Sequence, residues 1–270
     1  MAQDGSQSNG RRVEGRTAKS TSSGTLYVVS TPIGHPDDMT LRALATLRRD
    51  IVVAAENPRA TQALLAHHGI TATVTSYGPS NLHEKVQILL HRLLQGQDVA
   101  LVSDNGTPVI YDPGSIFVAA AHQAGIPVKA IPGPSTITAA VAISGFSGDA
   151  LVFEGHIPST GRPLADFLSR LRKERRTLVC YVAPRALIRL LKALAQILPA
   201  RQIVVAVDLT TCGETLSRGK PGDLLDRIEP VPKDSAVTIV IEGYGGGPHN
   251  KDTQTRTACY SSSRRRISTR

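Results

Sequence analysis

The chain has 270 residues, 41% of them hydrophobic and only 4% aromatic, with no Trp and a formal charge of +9. That supplies apolar material for one large or two medium cores, while the lack of any apolar run near ~20 residues argues against a membrane span. The charge is carried mostly by the ends, with +2 over residues 1–24, +5 over 251–270 and only +2 over 25–250. The N-terminus is polar, without an apolar signal-peptide core, and Cys180, Cys212 and Cys259 form no CxxC pair, so the cytoplasm is the expected compartment.

Residues 1–23 lack hydrophobic periodicity and read as a disordered tail, as do residues 245–270 with their Arg-rich end. Between them strand and helix patterns alternate. Leu26–Val29 reads as a short buried strand running into Thr31-Pro32-Ile33-Gly34, and Thr40 as the cap of a helix over 41–48. A strand over Ile51–Ala55, a helix near 58–67 and another over 81–95 follow. Next come the strand Val99–Val102, a helix at 114–124, the strand Val128–Ile131 and a small-residue helix over 135–144. Short apolar strands separated by capped helices imply a mainly parallel sheet covered on both faces.

Phe146–Asp149 reads as a hinge between domains of 24–146 and 147–244. The second domain takes strands at Leu151–Phe153, Thr177–Tyr181, Ile203–Val207 and Ala236–Ile241. Its helices are expected near 163–173, 185–197 and 221–228. The fold class is α/β in two domains.

Three loops each follow a short apolar strand and contain Gly and Pro: residues 31–34, Ser103 to Pro108, and Pro132 to Ser135. Ligands in an open α/β sheet bind beyond the carboxyl ends of the strands, where glycine lets the backbone approach and proline fixes the loop. Converging main-chain groups there suit an adenine or amino-acid fragment. Neither GxxxxGK[ST] nor a GxGxxG following a strand is present, so no nucleoside-triphosphate or dinucleotide loop is indicated.

At these loops the sequence resembles the tetrapyrrole-methylase superfamily of S-adenosylmethionine (SAM) enzymes. It is most similar there to the bacterial 16S ribosomal RNA 2′-O-ribose cytidine methyltransferases. Residues 24–34, Asp38 to Leu44 and Ser103 to Pro108 carry the resemblance; Asp112-Pro113-Gly114, residues 132–135 and Phe153-Glu154-Gly155 extend it. It spans about 24–243. The resemblance implies a class III SAM methyltransferase fold with SAM in the cleft between two domains, a homodimer, and small-subunit ribosomal RNA as partner. Carried over motif by motif, Pro32 and Gly34 shape one wall of the SAM site. Asp104, Asn105, Gly106 and Thr107 form its central loop, with Ser135 and Thr136 as a third wall. Tyr181, Val182 and Ala206 close it from the second domain.

The sequence departs from the family at several positions. Glu56-Asn57-Pro58-Arg59 replaces Glu-Asp-Thr-Arg, Asn105 replaces a small residue, and Tyr111 replaces a Ser. Ala183-Pro184-Arg185-Ala186 lacks a family His, and Val207 to Thr211 lacks a family Arg and Lys. The SAM-side loops are largely kept while several substrate-side positions have changed. A paralogue methylating a tetrapyrrole, another small molecule or a peptide is therefore an alternative, as is a non-catalytic SAM- or RNA-binding protein.

Methyl transfer from a sulfonium is an in-line displacement, and a ribose hydroxyl has a high pKa, so a base or a polarising cation beside it helps. Glu56 and Arg59 are the candidate catalytic residues, with Asp104 and Asp112 as further carboxylates; Glu56–Arg59 reads equally well as an i,i+3 surface pair. Asp38 fits a helix-terminus role. His67-His68 and His83 lack metal-ligand companions in sequence, and no metal is expected. From Arg162 to Lys192 nine basic residues face two acidic ones, a local +7. Such a segment suits RNA phosphates, or is simply a solvated helix face.

Overall fold

A computed structural model describes residues 23–245; the tail expectations for 1–22 and 246–270 fall outside the described residues. Ten strands form two five-stranded sheets. The first contains β1 (Leu26–Val29), β2 (Val52–Ala55), β3 (Thr73–Ser76), β4 (Val99–Val102) and β5 (Val128–Ile131), in the order β3-β2-β4-β1-β5. Every pairing in it is parallel. Helices α1 (Leu41–Leu47), α2 (Pro58–His67), α3 (Leu82–Leu94) and α4 (Gly114–Gln123) make the crossovers. Two apolar clusters, one containing Val29, Val53 and Val102 and the other Leu26, Val52 and Leu101, cover its opposite faces. Alternation along β2 sends Val52 and Val53 to opposite sides, so this strand is apolar throughout.

The register fixes where chemistry can occur. Val29 lies opposite both Val102 and Ile131, and Ala55 lies opposite Val102. The residues that follow, Ser30, Glu56, Ser103 and Pro132, therefore leave the sheet at one carboxyl edge. Thr40 caps α1 as expected, accepting a hydrogen bond from the Ala43 N–H at 3.2 Å.

The second sheet has β6 (Leu151–His156), β7 (Thr177–Val182), β8 (Ile203–Val207), β9 (Thr215–Gly219) and β10 (Val237–Ile241) in the order β6-β7-β10-β8-β9. Only β6–β7 is parallel; β10 runs antiparallel to both its neighbours, and β9 is an antiparallel edge strand. Helices α6 (Gly161–Leu171), α7 (Leu187–Ile197) and α8 (Pro221–Leu225) cover one face. On α7, Leu187, Leu190, Leu191 and Leu194 recur at helical spacing and are all buried.

The other face is covered by α5 (Thr136–Ser144), whose sequence neighbours belong to the first sheet. Its Ile137, Ala140 and Val141 pack against Val179, Val204, Ala206 and Val240. This helix joins the two sheets into one body, so the break expected at 146–149 follows a helix already committed to the second core. β3 and β9 are absent from the sequence reading. Both are edge strands, and β9 is mostly exposed. Among the described residues no helix is long and apolar enough to cross a membrane.

Candidate functional site

A cleft of about 510 Å3 opens between the carboxyl edge of the first sheet and the second sheet. Its first-sheet wall comes from the loops: Ile33, Glu56, Ser103, Asp104 and Asn105, then Ile110, Tyr111 and Asp112. The opposite wall comes from Tyr181 to Pro184 at the end of β7 and from Asp234 to Thr238 entering β10. These two segments are adjacent because Tyr181 pairs with Thr238. Thr136 at the start of α5 completes the rim. A smaller cavity of about 150 Å3 shares Ser103, Asp104 and Asn105 and is closed by Pro32, Gly34 and α2.

The predicted residues divide into three groups. Glu56, Asp104, Asn105, Thr136, Tyr181 and Val182 line the large cleft, and Pro32 and Gly34 line the small cavity. Gly106, Thr107 and Ser135 hold the loops together. The Gly106 carbonyl accepts from the Thr31 N–H (2.9 Å) and the Ser103 hydroxyl (3.0 Å), and the Thr107 hydroxyl donates to the Pro134 carbonyl at 3.1 Å. Ser135 is the residue preceding α5. Ala206 is fully buried against α5, behind Thr238, and lines neither cavity. Arg59 is exposed on the first turn of α2 and, among the described residues, forms no ion pair with Glu56.

The three candidate carboxylates differ in what they are free to do. Asp112 accepts from the Val109 N–H (2.8 Å) with one oxygen and from the Gly114 N–H (2.7 Å) with the other, which commits it to the loop before α4. Asp104 accepts from the Asn57 N–H at 3.1 Å. Glu56 has no hydrogen-bond or ion-pair partner among the described residues. Its carboxyl is pushed above the usual range, first by burial and then by the charges of Asp104 and Asp112.

Asn57, in place of the family Asp, caps α2 by accepting from the Ala60 N–H at 3.1 Å. Asn57→Ala is therefore expected to cost about 1 kcal/mol, a fall of roughly 2–4 °C in Tm for a domain of this size, whereas Asn57→Asp keeps the cap. Thermal melts of both variants check this.

His156, at the end of β6, is a wall residue that the sequence reading missed. Its ring lies 5.0 Å from that of Tyr111 and 5.6 Å from that of Tyr181. Burial lowers its pKa, favouring the neutral imidazole. Tyr111 itself adopts φ 63°, a conformation costly for a bulky side chain, and its exposed ring lies over Gly155. A Cβ on Gly155 would sit 2.9 Å from that ring, so the glycine explains the close approach but carries no signal that a histidine follows into the cleft. Of the other departures, Ala186 is buried in the second core and the Thr211 hydroxyl donates to the Asp208 carbonyl at 2.8 Å.

The electrostatics of the large cleft are one-sided. Glu56, Asp104, Asp112 and Asp234 line it, and no Lys or Arg does. Such a wall attracts a cationic ligand and repels a phosphate. The basic segment does not form one patch. Arg162, Arg185 and Arg189 lie at the cleft end of the second sheet. Arg172, Lys173, Arg175 and Arg176 precede β7, about 20 Å away by the length of that strand. There Glu174 accepts two hydrogen bonds from the Arg176 guanidinium, at 2.9 and 2.8 Å, which hold its carboxyl down to about 2.

Comparison with known proteins agrees with this architecture. The family profile of tetrapyrrole (corrin/porphyrin) methylases matches residues 25–225. The ribosomal RNA small subunit methyltransferase I of Thermotoga maritima is 36% identical over 220 residues, covering 82% of this chain and 99% of that protein. The protein of the same name from Synechocystis is 44% identical over 197 residues, covering 73% and 71%. A solved cobalt precorrin-4 methyltransferase superposes with a TM-score of 0.61 at 23% identity, covering 81% of this chain and 94% of that one. The uroporphyrin-III C-methyltransferase of Thermus thermophilus, solved with S-adenosyl homocysteine, gives 0.55 at 19%, covering 80% and 97%. The last two share the fold. The chain belongs to the tetrapyrrole methylase family and, within it, to the group of ribosomal RNA small subunit methyltransferase I proteins.

Proposed function

We propose that the chain is a SAM-dependent methyltransferase of small-subunit ribosomal RNA, with a cytidine ribose 2′-hydroxyl as acceptor. The observation that carries the cofactor is the charge of the large cleft, which has four carboxylates and no cationic side chain on its wall. That wall suits the fixed positive charge of a sulfonium, and a volume of about 510 Å3 is ordinary for a site holding a cofactor of this size. The structural relative solved with S-adenosyl homocysteine supports the same cofactor. The acceptor rests on the relatives that are 36% and 44% identical, whose name states ribosomal RNA.

In this reading Asp104, Asn105, Thr136, Tyr181 and Val182 contact SAM, while Pro32, Gly34, Gly106, Thr107 and Ser135 shape its loops. Ala206 supports the wall from behind. SAM supplies a methyl group already activated on sulfur, so the protein has to align the acceptor oxygen and take its proton. Glu56 is the base, because it alone of the three candidate carboxylates has both oxygens unengaged. Its raised pKa makes it a stronger proton acceptor while leaving it ionised at neutral pH. Arg59, one helical turn on, faces solvent where an RNA phosphate can pair with it, and Arg162, Arg185 and Arg189 extend that contact at the cleft end. The enzyme works in the cytoplasm as a homodimer of chains with domains 24–146 and 147–244. Exposed Leu41, Ile88 and Ile143 are available to a second copy.

The test is methyl incorporation from labelled SAM into unmodified 30S subunits, with the product mapped. Label on a single cytidine ribose is expected. No incorporation by protein that binds SAM would overturn the RNA acceptor, and no SAM affinity by calorimetry would overturn the enzyme reading altogether.

A further inference from the structure

On the far side of the small cavity, three imidazoles gather around one carboxylate. The loop after β1 makes a 3-10 turn at Pro36–Asp38 that sets Asp37 against the C-terminal end of α2. Asp37 Oδ1 lies 2.8 Å from His67 Nε2, although 30 residues separate them. His68, the next residue, places its Nε2 2.9 Å from the Pro36 carbonyl, and its ring meets that of His67 edge to face at 4.9 Å. His35 Nδ1 lies 4.0 Å from the second Asp37 oxygen. One ligand atom each from Asp37, His67 and His68 all lie within 4.8 Å of one another. His67-His68 has no companion in sequence; the fold supplies one.

We propose that Asp37, His67 and His68 form a binding site for a zinc-class divalent metal ion, with His35 adjacent as a fourth ligand. Two imidazole nitrogens and one carboxylate oxygen are the donors that zinc and its neighbours take, whereas magnesium and calcium prefer oxygen alone. Donors arranged tetrahedrally around such an ion stand about 3.3 Å apart, given bond lengths near 2.0–2.1 Å. That separation falls between the 2.8 Å contact and the 4.8 Å span seen here. The His67 and Asp37 side chains are 47% and 66% exposed, so small rotations are unobstructed and an ion can enter from solvent.

A simple ion pair accounts for His67 and Asp37 but not for the other two rings. A proton satisfies one imidazole at a time, and protonating several would set like charges against each other. A dication takes the place of the proton His67 shares with Asp37 and is bound by neutral imidazoles, so binding releases protons to solvent. The ion would tie the β1–α1 loop to α2. Pro32 and Gly34 of that loop, and Ala60, Thr61 and Leu64 of α2, line the same small cavity, so occupancy would fix its width. The proposal does not depend on the methyltransferase reading.

The test uses the untagged full chain, stripped of metal and titrated with Co2+ while its visible d–d absorption is followed. One Co2+ equivalent displaced by Zn2+ is expected, missing from Asp37→Asn and His67→Gln and kept in His83→Gln, whose residue lies on α3. Added Zn2+ should raise the Tm of the parent protein and of His83→Gln, but not of the first two variants. Circular dichroism confirms that all of them fold. No uptake by the parent protein, or uptake with the same stoichiometry and spectrum in Asp37→Asn and His67→Gln, would overturn the proposal.

Discussion

Replacing Glu56 with glutamine is expected to slow methyl transfer to 30S subunits by about 10²–10⁴-fold, the usual worth of a positioned general base. The substitution keeps shape and removes the only candidate carboxylate with both oxygens unengaged. SAM affinity should fall by no more than about tenfold, because the cleft keeps three of its four carboxylates in a solvent-open wall. The pH profile supplies a second readout. Burial and the charges of Asp104 and Asp112 raise the Glu56 pKa, so the base form is complete only above that raised value. Activity therefore drops on the acid side earlier than an ordinary Glu would allow, and the Gln variant loses that limb along with the rate. His156 is the competing base, since burial keeps its imidazole unprotonated to lower pH. A wild-type rate in Glu56→Gln, combined with loss in His156→Gln, would transfer the role to His156.

The contrast between these two residues shows what sequence makes legible. Glu56 directly follows an apolar strand, so its place at the carboxyl edge was readable from the run Val52–Ala55 alone. The same logic located the loops after β1, β4 and β5, because parallel strands covered on both faces are continuous apolar runs. It failed for β3, where Thr73-Val74-Thr75-Ser76 is partly exposed and mostly polar, and for β9 at the other edge. The direction of β10 was not legible either, since Val237–Ile241 would be equally apolar in a parallel or an antiparallel pairing. His156 and Asp234 reach the cleft only through that second-sheet topology. Ala206 shows the opposite failure: its strand reaches the site, but alternation turns the side chain toward α5. The local +7 over Arg162–Lys192 was a sum along the chain, and a strand's length divides it in space.

Gly34 offers the sharpest separation between packing and ligand contact. The resemblance assigns it to the SAM wall, but its backbone also meets the loop that follows β8. A Cβ there would overlap the Leu209 carbonyl and lie 2.6 Å from Thr210 Oγ1 and 2.8 Å from Thr211 Cγ2. The facing loop has little freedom to withdraw. Asp208 and Thr210 hold positive φ values of 50° and 66°, and Asp208 accepts from the Ala236 N–H and the Ser235 hydroxyl, each at 2.7 Å. Thr210 Oγ1 in turn accepts from the His35 N–H at 2.9 Å, next to Gly34. Gly34→Ala should therefore cost about 1–3 kcal/mol through overpacking, lowering Tm by roughly 2–4 °C for each kcal/mol. SAM affinity should fall as well, because the displaced loop carries Ile33 on the large cleft and Pro32 on the small one. Asn105→Ala is the control: its side chain is exposed in the cleft, so affinity should fall with stability kept within about 0.5 kcal/mol. A Gly34→Ala protein with unchanged Tm and weakened SAM binding would make the glycine a ligand contact alone and show that the two loops can move apart freely.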